Sequence, residues 1–181
     1  MKNLLLLVLI SLCVSVQGQE KKLQSRFNRL KSIKGTEFVI ASIDNYGKFI
    51  KTDESLIIIN SKTGQITPVT FPQKINVVKI KQVRIDSLDV NCLVVTAQII
   101  ENNLSLFEIQ TRLFIVSTDG RTVKEITDND YYTIDWVVNK KAGSLVITGQ
   151  SDVNNNGRID SYDKNEIMIF DLKTLRRIVY N

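Results

Sequence analysis

Residues 93–98 read LVVTAQ and residues 145–150 read LVITGQ, so one apolar hexapeptide recurs at an interval of 52 positions. A related segment, EFVIASID, occupies residues 37–44. Short runs of this kind, rich in β-branched residues, are typical of strands. Helical periodicity is absent from Thr36 onward, so the sequence predicts an all-β domain over residues 36–181.

A second apolar run and a turn follow each of these segments. The runs, in which Ile59, Ile115 and Ile169 align, are Leu56–Ile59, Leu113–Val116 and Ile167–Phe170. The pattern predicts about three copies of a β unit of roughly 50–57 residues, a period typical of propeller blades. Continuous apolar runs fit inner strands buried on both faces, as in stacked blades. A β-sandwich is the alternative, because its core strands can also be continuous.

Residues 112–175 also carry a family resemblance. Ile126-Thr127 stands where the family has "LT", Trp136 stands in its Trp position, and residues 139–143 (NKKAG) replace "SPDG". With these residues the segment resembles the repeats of TolB-type, or PD40-like, β-propellers. The resemblance implies an exported binding or scaffolding module. Three units are fewer than the four to eight blades of a closed ring, which leaves three solutions open: a homodimer of three units with three, an unclosed stack, or a different unit count.

Residues 152–163, DVNNNGRIDSYD, match the twelve-residue calcium-loop pattern. Side-chain oxygens fall at positions 1, 3, 5, 9 and 12, glycine occupies position 6, and position 7 contributes a backbone carbonyl. The candidate ligands are Asp152, Asn154, Asn156, Arg158, Asp160 and Asp163. The spacing gathers hard oxygens round one point, as Ca²⁺ requires. The pattern resembles EF-hand and dockerin loops, with Asp163 replacing the usual Glu; an ion-free polar turn is the alternative.

The segments on either side of this loop are strand-like. SLVITGQS precedes it and EIMIFDL follows it. We therefore expect a calcium loop inserted between two strands of one unit, rather than a loop between two helices.

Residues 1–18 have the layout of a secretory signal peptide, with a basic start, the apolar run Leu4–Val16 and a small residue, Gly18, before the cleavage point. The apolar run is short for a membrane span, although an anchor or a buried helix would share the pattern. A lipoprotein modified at Cys13 is disfavoured, because the preceding Leu12 is bulky. We therefore expect export to a periplasmic or extracellular location, with a bacterial source.

Residues 19–35 are predicted to form a basic amphipathic helix or linker. The apolar positions that follow a helical stripe are Leu23, Phe27, Leu30 and Ile33. Gly35 comes next, where a helix C-terminus favours positive φ. In the preferred hypothesis the apolar stripe packs against the β domain. In the alternative, residues 20–34 lie on the surface of an anionic membrane.

Composition excludes several classes of function. No histidine occurs among the 181 residues, which excludes His-based triads and His-ligated metals. A formal net charge of +5 is too mild to imply nucleic acid. Cys92, the one cysteine after residue 18, is expected to be a buried hydrophobe.

The leading hypothesis is an exported, non-enzymatic, calcium-binding β-repeat module that binds an unknown protein or glycan partner. The alternative is a carboxylate-based hydrolase acting on glycans, which needs two paired carboxylates in a cleft. Glu101, Glu108 and Glu125 are scattered along the chain, with no pairing visible in the sequence.

Overall fold

The computed structural model describes residue 27 and residues 29–43, 56–100 and 110–178. In these ranges the chain forms strands and one short 3-10 helix at Asp86–Leu88, with no α-helix. The strands are β1 (Arg29–Ser32), β2 (Phe38–Ser42), β3 (Leu56–Asn60), β4 (Ile66–Pro68), β5 (Ile75–Ile85), β6 (Val90–Ile99), β7 (Thr111–Ser117), β8 (Val123–Glu125), β9 (Tyr131–Asn139), β10 (Ser144–Ser151), β11 (Lys164–Asp171) and β12 (Arg176–Arg177). The predicted all-β class is confirmed. The predicted signal peptide, residues 1–18, lies outside the described residues.

The strands form three four-stranded antiparallel sheets, each a meander in chain order. Sheet 1 contains β1–β4, sheet 2 contains β5–β8, and sheet 3 contains β9–β12. The hexapeptides at 93–98 and 145–150 lie in β6 and β10, the second strands of sheets 2 and 3. Each apolar run that follows lies in the third strand of its sheet. The three predicted repeats thus correspond to three sheets.

Sheet 2 is the middle layer of a stack. On β6, Cys92 and Val94 belong to the core shared with sheet 3, whereas Leu93 and Val95 belong to the core shared with sheet 1. The alternation of a strand therefore directs apolar side chains into both cores. The run Ile167–Phe170 on β11 departs from the predicted burial on both faces, because Ile167 is 66% exposed. Strand β6 and the run Leu113–Val116 on β7 are buried on both faces, as the continuity of that run predicts. Each such fully buried side chain contributes about 1.5–3 kcal/mol.

The stack is open within the described ranges. One core joins sheet 1 to sheet 2 and the other joins sheet 2 to sheet 3, and the three sheets do not close into a ring. The described part of the chain is therefore an all-β stack of sheets, similar in its face-to-face packing to a sandwich.

The helix predicted over residues 19–35 is wrong where the structure describes it. Residues 29–32 form β1 and pair with β2, and Gly35, at φ 78°, lies in the turn that joins these two strands. Leu30 is 73% exposed whereas Ile33 is buried, so the apolar stripe does not share one face. Four apolar residues bury too little area to hold a helix, and pairing with β2 satisfies the same backbone groups. Residues 19–26 and 28 lie outside the described residues.

The membrane hypothesis for residues 20–34 depended on that helix and loses its support over residues 29–34. In the described ranges no helix is long and apolar enough to cross a membrane.

Cys92 is a buried free thiol, as predicted. Burial raises the pKa of this thiol to about 11, because desolvation disfavours the thiolate.

Candidate metal centre

Loop 152–163 connects β10 to β11 in sheet 3. It lies between two strands of one sheet, as its strand-like flanks predict. Its first residue is fixed to the neighbouring β8–β9 connection, because the Asp152 N–H donates to the Asp130 carbonyl at 2.9 Å.

Asp152 organises the first half of the loop. Its side chain is buried, with only 5% of the residue exposed. One carboxylate oxygen accepts the N–H of Asn156 at 3.2 Å and the other accepts the N–H of Gly157 at 2.7 Å. Gly157 adopts φ 76°, and a Cβ there would meet no atom within 4 Å. Backbone conformation, rather than lack of space, therefore favours glycine at this turn.

Three of the predicted ligand side chains meet in the middle of the loop. Asn156 Nδ2 donates to Asp160 Oδ2 at 2.9 Å, and the Asn154 side chain also lowers the pKa of the Asp160 carboxylate. The N–H of Tyr162 donates to the other carboxylate oxygen of Asp160 at 2.8 Å. These bonds, that of Tyr162 first, lower the pKa of Asp160, because they favour the charged form.

Asp163 joins the two ends of the loop. Its Oδ1 accepts the N–H of Val153 at 3.0 Å, and its Oδ2 accepts the N–H of Asp160 at 2.7 Å. The backbone N–H of Arg158 donates to Asn156 Oδ1 at 2.8 Å, which fixes the backbone of Arg158 within the loop. All the predicted ligand residues thus belong to one continuous hydrogen-bonded loop.

The side-chain oxygens of the loop are ligands that suit a hard cation, although they accept hydrogen bonds from other groups of the same loop. Among the described residues, no three His, Cys, Asp or Glu side chains converge closely enough to hold a metal ion. In the loop, amide N–H groups occupy carboxylate oxygens of Asp152, Asp160 and Asp163. Three carboxylates and two carboxamides supply only hard oxygens, the ligands that Ca²⁺ takes. Binding an ion would require Asn156 to turn its NH₂ group away from Asp160.

A polar relay outside the loop, formed by Tyr132, Gln110 and Arg112, connects it to sheet 2. The Tyr132 hydroxyl donates to the Gly157 carbonyl at 2.8 Å. Gln110 Nε2 donates to the same hydroxyl at 2.8 Å, and an Arg112 NH₂ group donates to Gln110 Oε1 at 2.6 Å. Sequence reasoning missed this relay, because its members lie in different units and no local spacing marks them.

Arg112 anchors the relay in the core of sheet 2. Only 4% of it is exposed, and it donates to Glu125 at 3.0 Å, to the Asp128 carbonyl at 2.9 Å and to the side chain and carbonyl of Asn129. Burial raises the pKa of Glu125, although the Arg112 charge opposes that rise. Residues 128–130 therefore form the connection between units that the sequence predicts, and Glu125 serves an internal ion pair.

The aromatic residues beside the loop pack between sheets. Tyr131 is fully buried and donates to the Glu166 carbonyl at 3.1 Å, and burial raises its pKa to about 12. Trp136 Nε1 donates to Thr96 of sheet 2 at 3.0 Å. The ammonium groups of Lys79 and Lys81 lie 5.5 and 5.3 Å from the Trp136 ring. These contacts fix sheet 3 against the edge strand β5.

A cavity of about 540 Å³ lies where β1 and β2 meet β5. Its polar lining includes Arg29, Lys31 and Lys79, and the described residues that line it include no Asp or Glu. Among the described residues, this cavity shows no carboxylate pair of the kind that the hydrolase hypothesis needs. Glu101 and Glu108 lie outside the described residues.

Comparison with protein-family models and with curated proteins finds no match for this chain. The resemblances to TolB-type propellers and to EF-hand or dockerin loops stay predictions drawn from the residues quoted above.

Proposed function

We propose that the protein is an exported calcium-binding β-repeat module, in which an ion held by loop 152–163 stabilises sheet 3 and the stack of sheets binds or scaffolds a partner. The observation that carries this proposal is the single hydrogen-bonded network that contains every predicted ligand residue, Asn154 included through the Asn156 N–H that it accepts at 3.0 Å. The loop carries three carboxylates, Asp152, Asp160 and Asp163, and a bound cation would relieve the repulsion between them.

In this proposal the carboxylates of Asp152, Asp160 and Asp163 and the carboxamide oxygens of Asn154 and Asn156 face the ion, together with the Arg158 carbonyl. Bound Ca²⁺ neutralises the carboxylate charge and cross-links the loop. We expect a dissociation constant of about 10⁻⁴–10⁻³ M, as in extracellular calcium modules.

The three sheets are blade-like units of the TolB or PD40 kind in this proposal. Support comes from their four-stranded meander order and from their face-to-face stacking. Propeller blades have this connectivity, and their exposed edges and loops bind partners. The partner class is a protein or a glycan, and nucleic acid is not expected.

Calorimetric titration with Ca²⁺, alongside thermal melting, tests the ion site. At about 10 mM Ca²⁺ the expected affinity stabilises the protein by about 1.4–2.7 kcal/mol, which raises Tm by about 3–10 °C. Asp160→Ala should abolish both signals, whereas Asp135→Ala, an exposed acid on β9 outside the loop, should leave them unchanged. Absence of heat and of a Tm shift in the unmodified protein would contradict the proposal.

A further inference from the structure

The inner face of sheet 1 changes character along its edge strand β1. Residues 29, 31 and 33 share one face, since side chains alternate along an extended chain. Ile33 is 1% exposed in the core between sheets 1 and 2, whereas Arg29 and Lys31 are exposed. Lys31 pairs with Ile40, which belongs to that same core, and Arg29 pairs with Ser42. Arg29 and Lys31, which we call the basic wall, therefore lie on the side of sheet 1 that faces sheet 2.

Strand β5 supplies the opposite wall. Val77 and Ile80 pack against the core between sheets 1 and 2, so they face sheet 1. At the next inward position of β5, Gln82 joins the two sheets directly. Its side chain accepts the Lys34 N–H and donates to the Lys34 carbonyl, both at 2.9 Å. The sheets are thus fastened together at Gln82, and the cavity of about 540 Å³ lies between them on the side of the basic wall.

The lining of this cavity combines buried apolar residues with positive charge. Ile40 and Ile43 line it and are buried. Among the described residues, no Asp or Glu lines the cavity and no carboxylate forms a salt bridge with Lys31. Lys79 also borders the cavity, but its ammonium lies 5.5 Å from the Trp136 ring of sheet 3. A volume of about 300–1,000 Å³, with apolar walls and a few charged groups, is typical of small-molecule sites.

We propose that this cavity binds a small amphipathic organic anion, with its carboxylate at the basic wall and its apolar body against Val77 and Ile80. A cleft that carries one sign of charge between low-dielectric walls concentrates ions of the opposite sign. The guanidinium of Arg29 matches the geometry of a carboxylate, and the ammonium of Lys31 adds a second positive charge. The apolar residues gain free energy when an alkyl chain displaces water from them. A ligand that has both properties uses both walls.

Calorimetric titration of the purified protein with octanoate, 1-octanol and acetate separates the two contributions. Octanoate should bind at one site per chain with a dissociation constant of about 0.1–1 mM, as expected for so small a ligand. 1-Octanol has the same chain without the charge, and acetate has the charge without the chain. Each should bind at least about 10-fold more weakly than octanoate. The titrations are made without Ca²⁺, so their outcome is independent of loop 152–163 and of the proposed calcium site.

The basic wall is tested by two variants made separately. Lys31→Gln and Arg29→Gln should each weaken octanoate binding about 3–10-fold, because each removes one positive charge, and should change 1-octanol binding by less than about 2-fold. Lys141→Gln is the matched control. Lys141 is exposed in the turn between β9 and β10 of sheet 3, so its loss should leave octanoate binding unchanged. Circular dichroism establishes that each variant is folded.

Three results would overturn the proposal: no octanoate binding up to about 10 mM, equal affinity for octanoate and 1-octanol, or unchanged octanoate affinity in both β1 variants. Acetate or tetraglutamate that binds as tightly as octanoate would also overturn it. The first outcome would indicate a simple ion site, and the second a site for an acidic protein segment. The comparison of ligands uses the unmodified protein, so it decides the proposal even if a variant does not fold.

Discussion

Tyr132→Phe removes one hydroxyl group and, with it, the central link of the polar relay. That hydroxyl donates to the Gly157 carbonyl in the loop and accepts from Gln110 in sheet 2, both at 2.8 Å. Each net hydrogen bond contributes about 1 kcal/mol, so the variant should lose about 1–2 kcal/mol of unfolding free energy. Urea unfolding without Ca²⁺ measures this loss independently of any ion.

The same substitution should weaken calcium binding. In the ion-free variant the loop can relax and the Gly157 carbonyl, which lies at an exposed turn, can bond to water. The ion-bound loop is fixed and cannot relax in this way. Loss of the hydrogen bond therefore destabilises the ion-bound state more than the ion-free state. A loss of about 1 kcal/mol in binding free energy corresponds to a roughly 5-fold higher dissociation constant, which calorimetric titration resolves.

Tyr162→Phe is the matched control, because Tyr162 belongs to the same loop but is 78% exposed. Its calcium affinity and its stability should equal those of the unmodified protein. Gln110→Leu extends the test: Gln110 lies outside the loop, next to β7, yet it holds Tyr132, so its loss should weaken calcium binding about 2–5-fold. Equal affinity in Tyr132→Phe and Tyr162→Phe would refute the reasoning, provided the unmodified protein binds Ca²⁺.

The remaining predictions concern the core. Arg112→Leu should lower the free energy of unfolding, measured in urea, by about 3–5 kcal/mol, because it leaves a partly buried carboxylate and several carbonyls without their donor. Arg121→Leu, which changes a mostly exposed side chain, should lower it by less than about 0.5 kcal/mol. Leu93→Ala should cost about 2–5 kcal/mol, since it opens a cavity in the core between sheets 1 and 2, whereas the exposed Leu30→Ala should be nearly neutral. Cys92 should react with a thiol reagent at pH 8 only after unfolding, because its pKa is about 11 in the folded protein; rapid reaction of the native protein would contradict its burial.

Local patterns predicted much of this fold. The hexapeptides at 93–98 and 145–150 became the second strands of two sheets. Of the unbroken apolar runs that follow them, Leu113–Val116 is buried on both faces as predicted, whereas Ile167–Phe170 is not, because Ile167 is 66% exposed. The polar composition of residues 152–163 placed a wrapped loop between two strands. These features depend on neighbouring residues, which is why a single sequence reveals them.

Features that depend on distant contacts were missed or wrong. The stripe in residues 19–35 satisfied a helical period, but pairing with β2 determined the conformation of residues 29–32. The alignment of Ile59 with Ile115 also fails, because Ile58, not Ile59, packs toward sheet 2. A one-residue shift in register moves every side chain to the other face, and a sequence alignment cannot detect it. The relay through Tyr132 joins two sheets, so no local spacing predicts it.

The position of sheet 2 between two cores has a consequence for how the molecule opens. Local opening of sheet 1 or sheet 3 exposes one core, whereas sheet 2 cannot separate without exposing both. Amide hydrogens in β6 should therefore exchange with solvent only through global unfolding, while those in β1 and β12, at the sheet edges, exchange through smaller fluctuations. During synthesis, sheet 2 emerges before sheet 3, so the face of sheet 2 that carries Val94 and Ile115 stays uncovered until sheet 3 has also left the ribosome.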